Sequence, residues 1–420
     1  MLLRTVLRTS SASVGLPLAV VFVLFALSDD LTNFVTDHYW PSAIGSATFA
    51  LPFIATGCAG LGAWEGARLA KGQVFTQTTV RSALAIVAPV LLPVVMTGLI
   101  ATLTAVALTA SASGATPSLS ETSVVLVEVL LLSANTALGY LVGRRWPAVI
   151  SVPVTLIAAF IANAYPVSWD ILWIRHLVGG GLHNCCAVDQ MLDTRAMWSA
   201  GVFALTLALA AGLVIQFPRR KDVLVASLAL AVAGTATASW FAHNLTADPV
   251  RDRPTAALIC DDAASTRVCL WPEVRDSAMV RSEIERALTR LKTVGVGAPP
   301  VFTMAASPAK EQAKLGILPD ATPAEIPVAV VAGILPQPPA CADTQDYPAG
   351  AAREPLAAWL MLTAGVSSDI VSGQVAPEAA ALARTVTQQP NKLQLAWYKT
   401  NRVAIQSCTT KPELSVEGAR

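Results

Sequence analysis

Residues Val223 to Phe241 read VLVASLALAVAGTATASWF, 19 residues without a charge, separated only by Asp222 from the basic run Arg219-Arg220-Lys221. An apolar run of that length matches the hydrocarbon thickness of a bilayer as a helix. A basic flank stays on the cytoplasmic side, so this helix is expected to emerge on the far side of the membrane. The chain before it then reads as membrane, and the chain after it as one folded domain outside the cell.

Average composition hides this division. Of 420 residues, 54% are hydrophobic and 14% charged, and mean hydropathy is +0.56. A soluble globular chain carries roughly 25% charged residues, and the deficit here falls before Phe241. The net charge of +1 and the lack of any Arg/Lys strip interleaved with aromatics argue against a nucleic-acid partner.

Working outward, seven spans are expected, at about 14–27, 42–62, 83–108, 123–141, 147–164, 199–215 and 223–241. The first is short, and Ala26-Leu27-Ser28 also resembles a signal-peptidase site; the reading taken is an anchor that stays in place. The third contains Pro89 and Pro93, which membrane helices tolerate when neighbours satisfy the freed carbonyls. With the amino terminus inside, ten basic residues fall on the cytoplasmic side: Arg4, Arg8, Arg68, Lys71, Arg81, Arg144, Arg145, Arg219, Arg220 and Lys221. The three short outer links hold two, Arg175 and Arg195. That asymmetry orients every span in the same sense. The fold class is therefore a polytopic α-helical membrane protein, amino terminus in and carboxyl terminus out. Residues 1–243 form the membrane domain, and 244–420 an extracytoplasmic α+β domain at the plasma membrane.

After His243 the texture changes to prolines, charges and short β-type runs. PTAALIC (254–260) and RVCLWPEV (267–274) read as strands about an Asp-rich turn, and PPVFTMAA (299–306) and IPVAVVAGI (326–334) as further strands. Asp276 is placed to cap a helix running to Leu291, with Val280, Ile284, Leu288 and Leu291 on one face. The tail reads as three helices, 354–363, 377–387 and 392–406. Of the seven cysteines only Cys58 falls inside a predicted span, and disulfides persist on the outer side. The four in the terminal domain allow three connectivities. Cys260–Cys269, closing a hairpin, and Cys341–Cys408, tying the last helix back, are preferred.

No phosphate-binding loop, HExxH, GxSxG or zinc-finger cysteine spacing occurs, so no enzyme and no cofactor is expected in this chain. His183, with Cys185, Cys186 and Asp189, could describe a thiolate–imidazole metal site. The reading taken is a polar outer loop with oxidised cysteines and no metal. Glu128 is the one acidic residue well inside a predicted span, and an intramembrane carboxylate marks a transport pathway by default. The outer connection Tyr165 to Trp198 carries Trp169 and Trp173 among apolar residues, as an interfacial gate or a packing lid would. Trp64, Glu65 and Arg68 lie on a short amphipathic inner segment that reads as a docking element or a charged stop.

GCAGLGAWEGARLAKG (57–72) resembles the segment ending the second span in actinobacterial membrane proteins related to ABC-2-type transport permeases. Six core spans, an inner amphipathic loop and an outer helical loop between spans five and six are similar to that family's plan. CDDAASTRVCLWPEV (260–274) resembles an extracytoplasmic domain of unknown role fused to such permeases. The resemblance implies the permease subunit of an exporter, homodimeric or heterodimeric in the bilayer. A separately encoded ATP-binding cassette ATPase would meet Trp64, Glu65 and Arg68. A seventh span and a large outer domain depart from the ordinary plan. The alternative is a membrane-anchored extracytoplasmic receptor or scaffold without transport activity.

Overall fold

The computed structural model describes residues 10–74, 81–119, 121–263, 266–344 and 346–415. Arg4 and Arg8, the inner stretch 75–80 and Ala264-Ser265 of the expected turn lie outside the described residues. The chain divides into two compact units, Met1–Arg251 and Asp252–Arg420.

The first unit is helical: α1 (Ala12–Ala26), α2 (Ser28–Thr32), α3 (Trp40–Ala47), α4 (Leu51–Lys71), α5 (Ala83–Ser113), α6 (Thr122–Arg145), α7 (Ala148–Ala164), α8 (Leu172–Leu177), α9 (Thr194–Gln216) and α10 (Lys221–Ala242). Among the described residues six stretches are long and apolar enough to cross a bilayer: Trp40–Lys71, Ala83–Ser113, Thr122–Arg145, Ala148–Ser168, Thr194–Gln216 and Lys221–Ala242. They coincide with expected spans two to seven. The first expected span is the 15-residue α1, which breaks at Leu27. At 1.5 Å per residue it reaches about 22 Å, short of a hydrocarbon core of about 30 Å.

The membrane-type packing is plain on α10. Its buried positions are Ser227, Gly234, Ala238 and Ala242, while Leu224, Val225, Leu228, Val232 and Trp240 face outward. Small residues let helix backbones approach closely, and lipid tails cover leucine and valine without penalty. The α4–α6 crossing carries the same logic further. A Cβ on Gly139 or Gly143 would run into the carbonyls of Ala59 and Ala63, and one on Gly62 or Gly66 into those of Thr136 and Tyr140. Because both helices advance together through these contacts, α4 and α6 are parallel, and Lys71 and Arg145 share one end. Ser11 N–H donates to Glu65 at 2.7 Å, and Leu84 N–H to Gln216 at 3.0 Å, at that same end. At the opposite end His38 N–H donates to Ser113 O at 2.9 Å.

The second unit has a four-stranded sheet in the order β1 (Ile259–Ala263), β2 (Thr266–Leu270), β3 (Val301–Thr303), β4 (Gln312–Lys314). The first pair is antiparallel, and β2–β3 and β3–β4 are parallel. Helix α11 (Ser277–Thr293) makes the β2-to-β3 crossover, and the Asp276 carboxylate accepts from Met279 N–H at 2.9 Å. Val280, Ile284 and Leu291 are buried on its inner face together with Ala287, and Leu288 is half-buried. Four further helices, α12 (Glu325–Ile334), α13 (Arg353–Ala364), α15 (Pro377–Thr387) and α16 (Asn391–Ala404), build the rest with the short α14 (Ser368–Gln374).

Two expectations need correction. IPVAVVAGI is helix α12, not a strand: an apolar run of nine residues has no period to separate the two, and burial of Ile326, Ala329 and Val330 selects the helix. The first strand begins at Ile259, after a 3-10 turn at Thr255–Ala257, so Asp261 and Asp262 lie in the strand. The core holds Trp271, Phe302, Trp359 and Trp397, all buried. Trp271 donates to Met304 O at 3.0 Å and Trp359 to Gln394 Oε1 at 3.0 Å. Trp359 meets Trp397 edge-on at 6.2 Å.

Candidate functional site

Trp64, Glu65 and Arg68 lie on the last turns of α4 rather than on a separate amphipathic segment. Ala, Glu, Arg, Leu and Lys continue a helix readily, and it stops only at Gly72. Glu65 is fully buried. One of its oxygens accepts from Ser11 N–H at 2.7 Å, and the other pairs with Arg68 at 2.6 Å. Ser11 is the N-cap of α1, so the carboxylate sits at the positive end of a helix dipole. Glu65 thus fastens α1 to α4 and orients Arg68. Trp64 is half-exposed, and the Arg68 side chain is 38% exposed.

Trp64 and Arg68 line a cavity of about 910 Å³ among α1, α4, α5 and α7. Its walls are Leu18, Phe22, Phe53, Leu61, Leu156 and Phe160. Sequence reasoning misses it because its walls are ordinary span residues, and only the packing of α1 beside α4 leaves the gap. Gly57 and Gly60 lie in its lining, and a Cβ on Gly57 would meet nothing within 4 Å.

Glu128 lies on α6, buried, with Oε2 lacking a hydrogen-bond partner. Two helical turns further along α6, Asn135 joins Asn163 of α7: Asn163 Nδ2 donates to Asn135 Oδ1 at 3.0 Å, with a longer return bond of 3.4 Å. This amide pair escaped the sequence reading because a single asparagine within a span, such as Asn135 in α6 or Asn163 at the end of α7, carries no spacing signal.

Trp169 is exposed and Trp173 packs against the bundle core. Neither lines the cavity of about 550 Å³ at this end, which is formed by Asp30, Phe34, Phe49, His183 and neighbours. Glu128 lines neither cavity, so the three candidate pathway residues are not gathered at one site. The loop instead grips the chain leaving α10. His176 Nε2 hydrogen-bonds Thr246 O at 2.9 Å, so Nε2 carries the proton, and burial pushes its pKa below the usual histidine value. Asn184 donates to Asp248 at 2.7 Å, and Asp193 N–H to Pro249 O at 2.8 Å. Thr36 and Tyr39 hold the loop from below, through Cys186 O and Gln190 O.

Cys185 and Cys186, neighbours in sequence, are both buried, and their sulfurs lie against each other beside His183. Among the described residues no group of three or more His, Cys, Asp or Glu is arranged to hold a metal. Cys260 and Cys269 face each other across β1–β2 at disulfide distance, and Cys341 and Cys408 are likewise paired.

Residues 268–408 match a family described as a domain of unknown function (DUF7224). The match starts in β2 and ends on Cys408, so it contains the Cys341–Cys408 pair and nearly all of the second unit's core. No curated protein and no solved structure matches the chain.

Proposed function

We propose that the chain is the membrane (permease) subunit of an ABC-type exporter, working as a dimer with a separately encoded ATP-binding cassette ATPase. In this reading α1 and the six longer stretches give seven spans. The end carrying Lys71, Arg144, Arg145 and Lys221 faces the cytoplasm, and the second unit is extracytoplasmic. Disulfide pairing in that unit is compatible with an oxidising exterior. The observation that carries transport over anchoring is Glu128, a buried span carboxylate with an unpartnered oxygen. Such a group is costly in a bilayer and is by default read as functional, although it lines neither cavity.

The burial of Glu65 changes how coupling is tested. An ATPase can reach Trp64 and the exposed Lys71, whereas Glu65→Ala would unfasten α1. Affinity purification of the full chain from its native membrane in mild detergent is expected to recover a stoichiometric ATP-binding cassette protein. Trp64→Ala with Lys71→Glu is expected to release it without loss of the chain. Recovery of no ATPase overturns the exporter reading.

The second reading, a receptor or scaffold, draws on the grip of His176, Asn184 and Asp193 on residues 246–249. Such a clasp would carry a ligand signal from an outer domain to the spans. Partners of the outer domain, recovered without an ATPase, would favour it.

A further inference from the structure

The cavity lined by Trp64 and Arg68 calls for an occupant. Its walls from Phe53 and Phe22 down to Leu61 are mostly apolar, with the Thr56 and Thr97 hydroxyls donating to carbonyls of their own helices, and its one charged lining residue, Arg68, lies beside Ser10, Ser11 and Trp64. Phe53 and Arg68 are fifteen residues apart on α4, about 22 Å along the axis. That exceeds half of a hydrocarbon core of about 30 Å. Among the described residues nothing lies within 4 Å of where a Cβ on Gly57 would stand, so the groove is bare at that point of α4. Its wall residues Leu18 and Phe22 are 65% and 41% exposed, so it opens sideways, toward lipid when the bundle lies in a bilayer.

At the polar end the Arg68 side chain is 38% exposed while it pairs with buried Glu65. Glu65 is tied into the N-terminus of α1, which offsets its charge and holds the Arg68 guanidinium at the groove mouth. Exposed Lys71 follows one turn later. Arginine matches the geometry of a phosphate, and a tryptophan beside it suits headgroup depth.

We propose that this groove holds one acyl chain of a bilayer phospholipid, with the lipid phosphate at Arg68 and Trp64 beside it. The site is a resident lipid position wedged between α1 and the rest of the bundle. It requires the bundle to lie in a bilayer but neither an ATPase nor transport, so it can fail or survive independently of the exporter reading.

The test uses the full chain in nanodiscs containing phosphatidylglycerol with a photoreactive diazirine at the acyl-chain end, followed by peptide mapping. Labelling is expected to concentrate on peptides containing residues 14–22 and 53–61. Gly57→Leu, whose Cβ has no neighbour within 4 Å and whose side chain would narrow the groove, should lower that labelling at least about fivefold, equivalent to about 1 kcal/mol. It should leave labelling of Val225, Leu228 and Val232 on α10 unchanged, which also reports that the bundle is intact. Arg68→Gln should lower groove labelling while sparing α10. Labelling spread evenly over all outward faces, or unchanged groove labelling in Gly57→Leu with α10 also unchanged, overturns the proposal.

Discussion

Removing the Cys341–Cys408 bond should cost the second unit more than removing Cys260–Cys269, and loop length sets by how much. The pairs are separated by 67 and 9 residues. A cross-link constrains the unfolded chain by an entropy that grows as 1.5R ln n, which gives about 4.4 kcal/mol for the long loop and about 2.6 kcal/mol for the short one. The difference, about 1.8 kcal/mol, corresponds to a roughly twentyfold change in an opening equilibrium. The structure supports the same order. Cys260 and Cys269 lie opposite each other within a five-rung antiparallel ladder that already fixes their distance. Cys408 follows α16, which carries buried Trp397 and Asn401. The assay is hydrogen exchange of the full chain in nanodiscs, read on peptides from α11 and α16 for the Cys341→Ala/Cys408→Ala and Cys260→Ala/Cys269→Ala variants. Equal losses, or a larger loss for the short loop, would refute the entropic reasoning. So would a loss confined to residues 405–413, because Tyr347 O–H to Ile405 O at 2.6 Å and the Asn401–Glu413 bonds would then suffice to hold the tail locally.

Other outcomes follow from the membrane unit. Gly139→Leu forces a side chain into the Ala59 carbonyl, and overpacking of this kind costs about 1–3 kcal/mol; the detergent-solubilised chain should show a lower melting temperature in a fluorescence size-exclusion assay, and an unchanged value would contradict the close α4–α6 approach. Asn163→Leu removes the amide pair with Asn135, and a loss of about 0.6 to 1.7 kcal/mol is expected in the same assay. His176 has a pKa below its unfolded value, so the neutral form favours the clasp above about pH 6.5. As pH falls below that value the clasp should loosen, seen as faster exchange at residues 246–249 at pH 5.5 than at pH 7.5 after correction for intrinsic rates. His176→Phe should abolish the difference, and no difference in the parent chain would contradict the assignment.

What the sequence determined was everything that depends on length and local pattern. The apolar runs at 83–108, 123–141 and 223–241 are helices with ends within a few residues of those expected, apart from the five-residue extension to Ser113. A bilayer-length apolar run has only one way to satisfy its backbone. Asp276 capping α11 and the tail helices at 353–364, 377–387 and 391–404 were legible for the same local reason. Tertiary structure alone decided which face of each span is inside, because hydrophobic residues occupy both faces and no periodicity distinguishes them. It turned IPVAVVAGI into a helix through burial, and it drew Glu65 from an exposed inner segment into a bond with Ser11, 54 residues away. The groove beside Gly57 and the grip of His176 on Thr246 belong to the same class. They arise where elements distant in sequence meet, and no local pattern encodes that meeting.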